Sequence, residues 1–152
     1  MMPTVVTAMA VVSPLGLGTG AFADAVRRGR LGACGHVPDL SSDPDFAATK
    51  QVRLYERSSA LAVGAVAKLL ADDPLGTVPA ERRAIVLGSA LAGIDTFMGV
   101  DVASLTGARP YHVDHKRVPA AVMNYTSAQA AIRFDLRGPN VTVSAGRASG
   151  LT

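Results

Sequence analysis

Short apolar runs alternate along the chain with breaks rich in glycine, proline and serine, and this pattern sets the elements it is expected to form. Pro3 to Val12 is apolar on both faces and predicts a strand buried in a parallel or mixed sheet. Ser13 to Gly20 reads as a loop, followed by a helix from Ala21 to Arg28 that stops near Gly29. Leu31 to Lys50 has no period and predicts an excursion over the surface. The clearest helix runs from Leu54 or Tyr55 to about Ala71, with Ala62, Val66, Leu69 and Leu70 at helical spacing. Ala60, Gly64, Ala65 and Ala67 keep the rest of its circumference small, as close packing on several sides requires. Asp72-Asp73-Pro74 ends it. Arg82 to Gly88 is the next strand, running into a small-residue turn that ends at Gly93. Gly107 to Arg117 reads as a second loop, and Val118-Pro119 opens a helical segment to Phe134, interrupted around Asn124 to Ser127. A Gly138-Pro139 turn then feeds a strand from Asn140 to Ser144. Strands alternating with helices predict an α/β domain.

Composition narrows the function classes. At 152 residues and 49% apolar, the chain is long enough for a single domain with its own core, expected to span residues 1–152. No apolar run reaches membrane-spanning length, and Met1-Met2-Pro3-Thr4 lacks the basic residues and cleavage site of a signal peptide. The single cysteine, Cys34, makes no intrachain disulfide, so a cytoplasmic location is expected. The net charge of +3 comes in small clusters and aromatics are only 5%, which argues against a nucleic-acid binder. Such clusters suit a solvated surface or the docking of an acidic partner. Gly16-x-Gly18-x-x-Ala21, with Asp39 beyond it, matches a loose dinucleotide fingerprint. Pro14 and the aperiodic stretch after Leu31 weigh against that reading. Cys34 and His36, and the group His112, Asp114 and His115, are read as solvated loop residues rather than metal ligands. No cofactor is expected.

The sharpest signal lies at residues 138–152. After the β-branched run Val141-Thr142-Val143, small residues take over in Ser144-Ala145-Gly146-Arg147-Ala148-Ser149-Gly150. A tight strand-to-helix elbow needs such residues, and it presents one side chain at the mouth of the new helix. Here that side chain is Arg147. A guanidinium is a permanent cation with no lone pair for attack, so this side chain cannot serve as a nucleophile.

Gly146-Arg147-Ala148-Ser149-Gly150 resembles the active-site elbow of the β-ketoacyl-acyl-carrier-protein synthases (ketosynthases), which read Ala-Cys-Ala-Ser-Gly or a close variant. Arg147 falls on that family's nucleophilic cysteine. The opening Val5-Val6-Thr7-x-Met9-x-Val11-Val12-Ser13-Pro14-Leu15-Gly16 is similar to the family's start. Val118-Pro119-x-x-Val122-Met123-Asn124 and Gln129-x-x-Ile132-Arg133-Phe134-x-Leu136-Arg137-Gly138-Pro139 extend the resemblance. It implies the N-terminal half of a thiolase-like, αβαβα-layered fold. Position by position, it makes Leu91, Ala121, Val122 and Tyr125 acyl-tunnel or gate residues. It places Val118, Met123, Asn140, Val141, Thr142 and Val143 at a dimer interface, with the last strand pairing antiparallel to its twin.

With the nucleophile replaced, the chain most resembles the chain-length factors of type II polyketide systems, although these usually carry glutamine at that position. The resemblance implies a non-catalytic subunit that pairs with an active ketosynthase and meets acyl carrier protein through that partner. The alternatives are an inactive remnant or fragment of a ketosynthase, a malonyl-carrier decarboxylase, and the dinucleotide-binding domain.

Overall fold

A computed structural model describes residues 4–30, 35–37, 55–72 and 74–151. Cys34, Asp39 and most of the expected excursion over residues 31–50 lie outside the described residues. The chain divides into two compact units, Met1–Arg53 with Gly64–Gly76, and Leu54–Val63 with Thr77–Thr152.

In the first unit, β1 (Val12–Ser13) and β2 (Gly16–Leu17) form an antiparallel hairpin in which Val12 faces Leu17. Ser13 closes it: its hydroxyl donates to the Gly16 carbonyl at 3.3 Å and accepts from the Leu15 amide at 3.2 Å. The strand expected from Pro3 to Val12 is therefore reduced to its last residue, and the loop after it folds back as the hairpin. A strand apolar on both faces is held by neighbours on each side, and no described residue pairs as a strand with residues 4–11. Val5 and Val6 are accordingly 70% and 80% exposed.

The hairpin also removes the dinucleotide reading. Gly16 lies within an antiparallel strand instead of a turn leading from a parallel strand into a helix. Helix α1 (Thr19–Arg27) starts after Gly18, whose φ of 94° suits glycine. It ends at Gly29, φ 68°, where the Arg30 amide bonds Ala25 and the Gly29 amide bonds Val26. That is a Schellman cap, and it stops the helix where the sequence places the stop.

Helix α2 (Arg57–Asp72) matches the clearest predicted helix, but its buried positions differ from the expected stripe. Ser59 and Val63, four residues apart, are 1% exposed, whereas Ala62, Val66, Leu69 and Leu70 are only half-buried.

In the second unit, β3 (Ile85–Gly88) and β4 (Asn140–Val143) pair in parallel, with Ile85 opposite Asn140 and Gly88 opposite Val143. The connection between them carries α3 (Ile94–Thr106) and α4 (Tyr125–Phe134), as parallel pairing requires a crossover. Helix α3, in a stretch where the sequence pattern marks no element, is apolar around much of its circumference: Phe97, Met98, Val102 and Leu105 are all more than half exposed. Helix α4 packs on both strands. Ile85 is buried, while Val86 and Val141, directly paired, share an exposed face.

The segment predicted as one interrupted helix from Val118 to Phe134 breaks earlier than expected. A 3-10 turn covers Val118–Ala121, the break falls at residues 122–124, and α4 starts at Tyr125. Asn124 accepts hydrogen bonds at its carbonyl from the Ala128 amide and the Ser127 hydroxyl, so the helix starts there instead of breaking there. Its other end is an αL residue, Asp135 (φ 54°), whose carboxylate accepts from Arg137 Nε at 2.7 Å. After Leu136, whose amide still bonds Ala131, the amides of Arg137 and Gly138 bond the carbonyls of Ala80 and Arg83, each at 2.9 Å, and deliver the chain beside β3.

Candidate functional site

The elbow after β4 forms as its small residues predict. Gly146 takes φ 57° and starts a 3-10 turn, Gly146–Ala148, which presents Arg147 to solvent. Ser149 holds the turn from inside. It is 7% exposed, its hydroxyl accepts from the Ala145 amide at 2.9 Å and donates to the Gly146 carbonyl at 2.7 Å. Gly88, the last residue of β3, lies so near that a Cβ there would overlap the Ser149 carbonyl. Small residues at both places let the elbow press against the strand end. Among the described residues the Arg147 side chain has no hydrogen-bond or ion-pair partner.

Beside the elbow lies a groove of about 260 Å³, lined by residues 90–94, Phe97, Ala121, Met123 and Ser144. Its two sides come from separate parts of the chain held by close backbone contacts. Gly93, φ 76°, backs onto the turn Val118–Ala121, and a Cβ there would come within 2.8 Å of the Ala120 carbonyl oxygen. Ser144 donates to the Ala90 carbonyl at 3.5 Å and ties the end of β4 to the other side. The lining is mostly apolar, with one hydroxyl at the elbow end, which suits an alkyl or acyl chain rather than a sugar or nucleotide.

The structure brings together only some of the sequence-predicted site residues. Leu91 and Ala121, expected at an acyl tunnel, and Met123, expected at an interface, all line the groove. Val122 and Tyr125 do not line it. Val122 is 55% exposed in the break before α4. Tyr125 is half-buried with its ring edge-on to Tyr55, centroids 6.5 Å apart. Burial, and secondarily the neighbouring Tyr55, raises its phenol above the ordinary tyrosine value. Val118 is exposed at the start of its turn, and Asn140, Val141, Thr142 and Val143 form β4, whose described neighbour is the parallel β3. Ile94, Phe97 and Ser144 also line the groove, beyond the residues that the sequence marks for it. The signal for the first two was an i, i+3 apolar pair just past Gly93, at the opening of α3.

His112, Asp114 and His115 are exposed: His112 stacks edge-on with Tyr111, and Asp114 accepts from the Lys116 amide. Among the described residues no group of three or more histidine, cysteine, aspartate or glutamate side chains is arranged to hold a metal ion. Among the same residues no helix is long and apolar enough to cross a membrane.

An elbow of small residues closing a parallel strand pair, next to an apolar groove, defines an α/β domain with a candidate site for an apolar group. Residues 39–152 match the model of the β-ketoacyl synthase N-terminal domain, and the chain belongs to that family. Its fold is the α/β, thiolase-like N-terminal half of such proteins. Among solved structures it is similar to a chain of the ishigamide ketosynthase/chain length factor. The two are 33% identical, with a TM-score of 0.79, over 97% of this chain. This chain spans 45% of the length of that one. No curated protein matches it.

Proposed function

We propose that this chain is a non-catalytic, chain-length-factor-like subunit that pairs with an active ketosynthase in polyketide or fatty acid biosynthesis and helps shape its acyl tunnel. One observation carries the reading: the turn Gly146–Ala148 presents Arg147, the residue that falls on the family's nucleophile by resemblance, beside an apolar groove. Acyl transfer needs a nucleophile activated by a base, and a guanidinium supplies neither. A groove without a nucleophile still binds or bounds a chain.

In this reading Leu91 and Ala121 bound the acyl chain, and Val122 and Tyr125 gate it from the break before α4. Val118, Met123 and strand Asn140–Val143 lie at the partner interface, Thr142 through its backbone alone because its side chain turns inward to Ser127. Acyl carrier protein is met through the ketosynthase. The apolar surfaces of α3 and of the Val86–Val141 pair support an assembled state, because exposed patches of this kind mark interaction sites. The similarity to a ketosynthase/chain length factor structure supports the same class of partner.

The experiment is co-expression with a ketosynthase from the same gene neighbourhood, followed by size-exclusion chromatography with light scattering. A one-to-one complex is expected, with the chain aggregated when expressed alone. Within that complex, Ala121→Phe puts a ring into the groove and is expected to shorten the products read by mass spectrometry. A folded monomer that ignores the ketosynthase would sink the proposal. Malonyl-carrier decarboxylation by the purified chain, abolished in Arg147→Ala, would replace it with an enzymatic role.

A further inference from the structure

Two successive hydroxyls in the first turn of α4 reach different elements. Thr126 Oγ1 lies 2.7 Å from Ser59 Oγ on α2, and Ser127 Oγ lies 2.8 Å from Thr142 Oγ1 on β4. Ser127 also donates to the Asn124 carbonyl at 3.0 Å, so its one proton is committed there and Thr142 donates to it. Ser59, Thr126 and Ser127 are 1%, 4% and 0% exposed. Four hydroxyl side chains thus occupy positions where aliphatic side chains would serve stability equally well. What hydroxyls add is direction: an apolar contact tolerates sliding, whereas a buried hydroxyl pair holds one distance and one angle.

The turn held this way carries one side of the groove. The Tyr125 amide bonds the Val122 carbonyl at 3.0 Å and the Val122 amide bonds the Pro119 carbonyl at 3.3 Å, so Ala121 and Met123 move with the start of α4. Thr142 lies two residues before Ser144, which lines the groove and bonds the Ala90 carbonyl opposite. The Ser127–Thr142 pair therefore joins the segments that bear the two sides.

We propose that the Ser59–Thr126 and Ser127–Thr142 hydroxyl pairs are positioning residues that fix the width of the groove lined by Leu91, Phe97, Ala121 and Met123, and thereby the chain length it accepts. This role presupposes that the groove takes an acyl chain, as proposed above. None of the four hydroxyls lines the groove; they act through the residues they position.

The test uses the chain co-expressed with its ketosynthase and compares Thr142→Val, which keeps the shape but loses the hydroxyl, with Thr142→Ser, which keeps the hydroxyl. Product lengths are read by mass spectrometry and assembly by size-exclusion chromatography. Thr142→Val is expected to leave the complex intact and change the ratio of adjacent product lengths by about fivefold, the factor one buried hydrogen bond controls. Thr142→Ser is expected to restore the original ratio, which a merely structural role would not require. If Thr142→Val assembles with an unchanged ratio while Ala121→Phe shifts it, the hydroxyl pairs do not set the groove and this inference alone fails. If Ala121→Phe also leaves the ratio unchanged, the acyl reading of the groove fails with it. Should Thr142→Val not assemble, Ser59→Ala at the other pair is read by the same criteria.

Discussion

Ser149 holds the elbow through one hydroxyl that both accepts and donates. Removing it leaves the partly exposed Ala145 amide without that partner, while the Gly146 carbonyl keeps the Ser149 amide at 3.3 Å. Ser149→Ala is therefore expected to cost about 0.5–1.5 kcal/mol in urea unfolding of the assembled protein. Gly88 is more severe. A Cβ there meets the Ser149 carbonyl, which is backbone and cannot rotate away, so Gly88→Ala is expected to lose at least about 2 kcal/mol or fail to fold. Tyr125 gives a pH-dependent expectation. Its raised phenol means that the folded protein holds that proton more tightly than the unfolded chain does. Its contribution is then fully present below the ordinary tyrosine value of 10.0 and is lost as pH rises through and beyond it. Unfolding free energies of the wild-type protein and Tyr125→Phe, compared between about pH 9 and about pH 11, should converge or cross in that direction. A difference that stays flat with pH refutes the assignment.

At the scale of elements, α3 separates folding from assembly. It packs on the turn Val118–Ala121 through one side and leaves Phe97, Met98, Val102 and Leu105 exposed. Leu105 is 77% exposed, so Leu105→Lys should change the chain's own stability by no more than about 0.5 kcal/mol. If α3 lies against the ketosynthase, the same change should weaken the complex markedly, as read by light scattering at decreasing concentration. Equal affinity of both proteins would place the interface elsewhere. Helix α1 shows the opposite case, an element closed by its own sequence. Gly18 starts it, Gly29 caps it, and Arg27 pairs with Asp24 at 2.9 Å on an exposed surface where such a pair contributes little.

For the whole molecule, exposed apolar surface outweighs charge. The net charge is only +3, and in the second unit the ion pairs of Arg137 with Asp135 and Glu81 are solvent-exposed. Assembly with a ketosynthase is accordingly expected to survive an increase from about 0.1 M to about 0.5 M salt, because screening shortens the reach of charges and leaves apolar burial in place. Dissociation over that range would show that the basic clusters, not the apolar faces, hold the partner.

Local rules made much of this chain legible. Gly29 stops α1, Gly138-Pro139 opens β4, and the small residues after Val143 make the elbow, because each depends on the backbone preferences of a few neighbouring residues. Arg147 is legible by identity alone as a permanent cation with no lone pair for attack. Other features needed the folded chain. The apolar segment from Pro3 to Val12 satisfies a strand pattern, yet a strand exists only with neighbours, and the described residues give residues 4–11 none. The groove gathers residues 90–94, Phe97, Ala121, Met123 and Ser144 across more than fifty positions, so no local spacing announces it. Ser127 and Thr142 look like ordinary polar residues in the sequence. Their pairing depends on α4 lying across β4, and only tertiary packing decides which hydroxyl meets which.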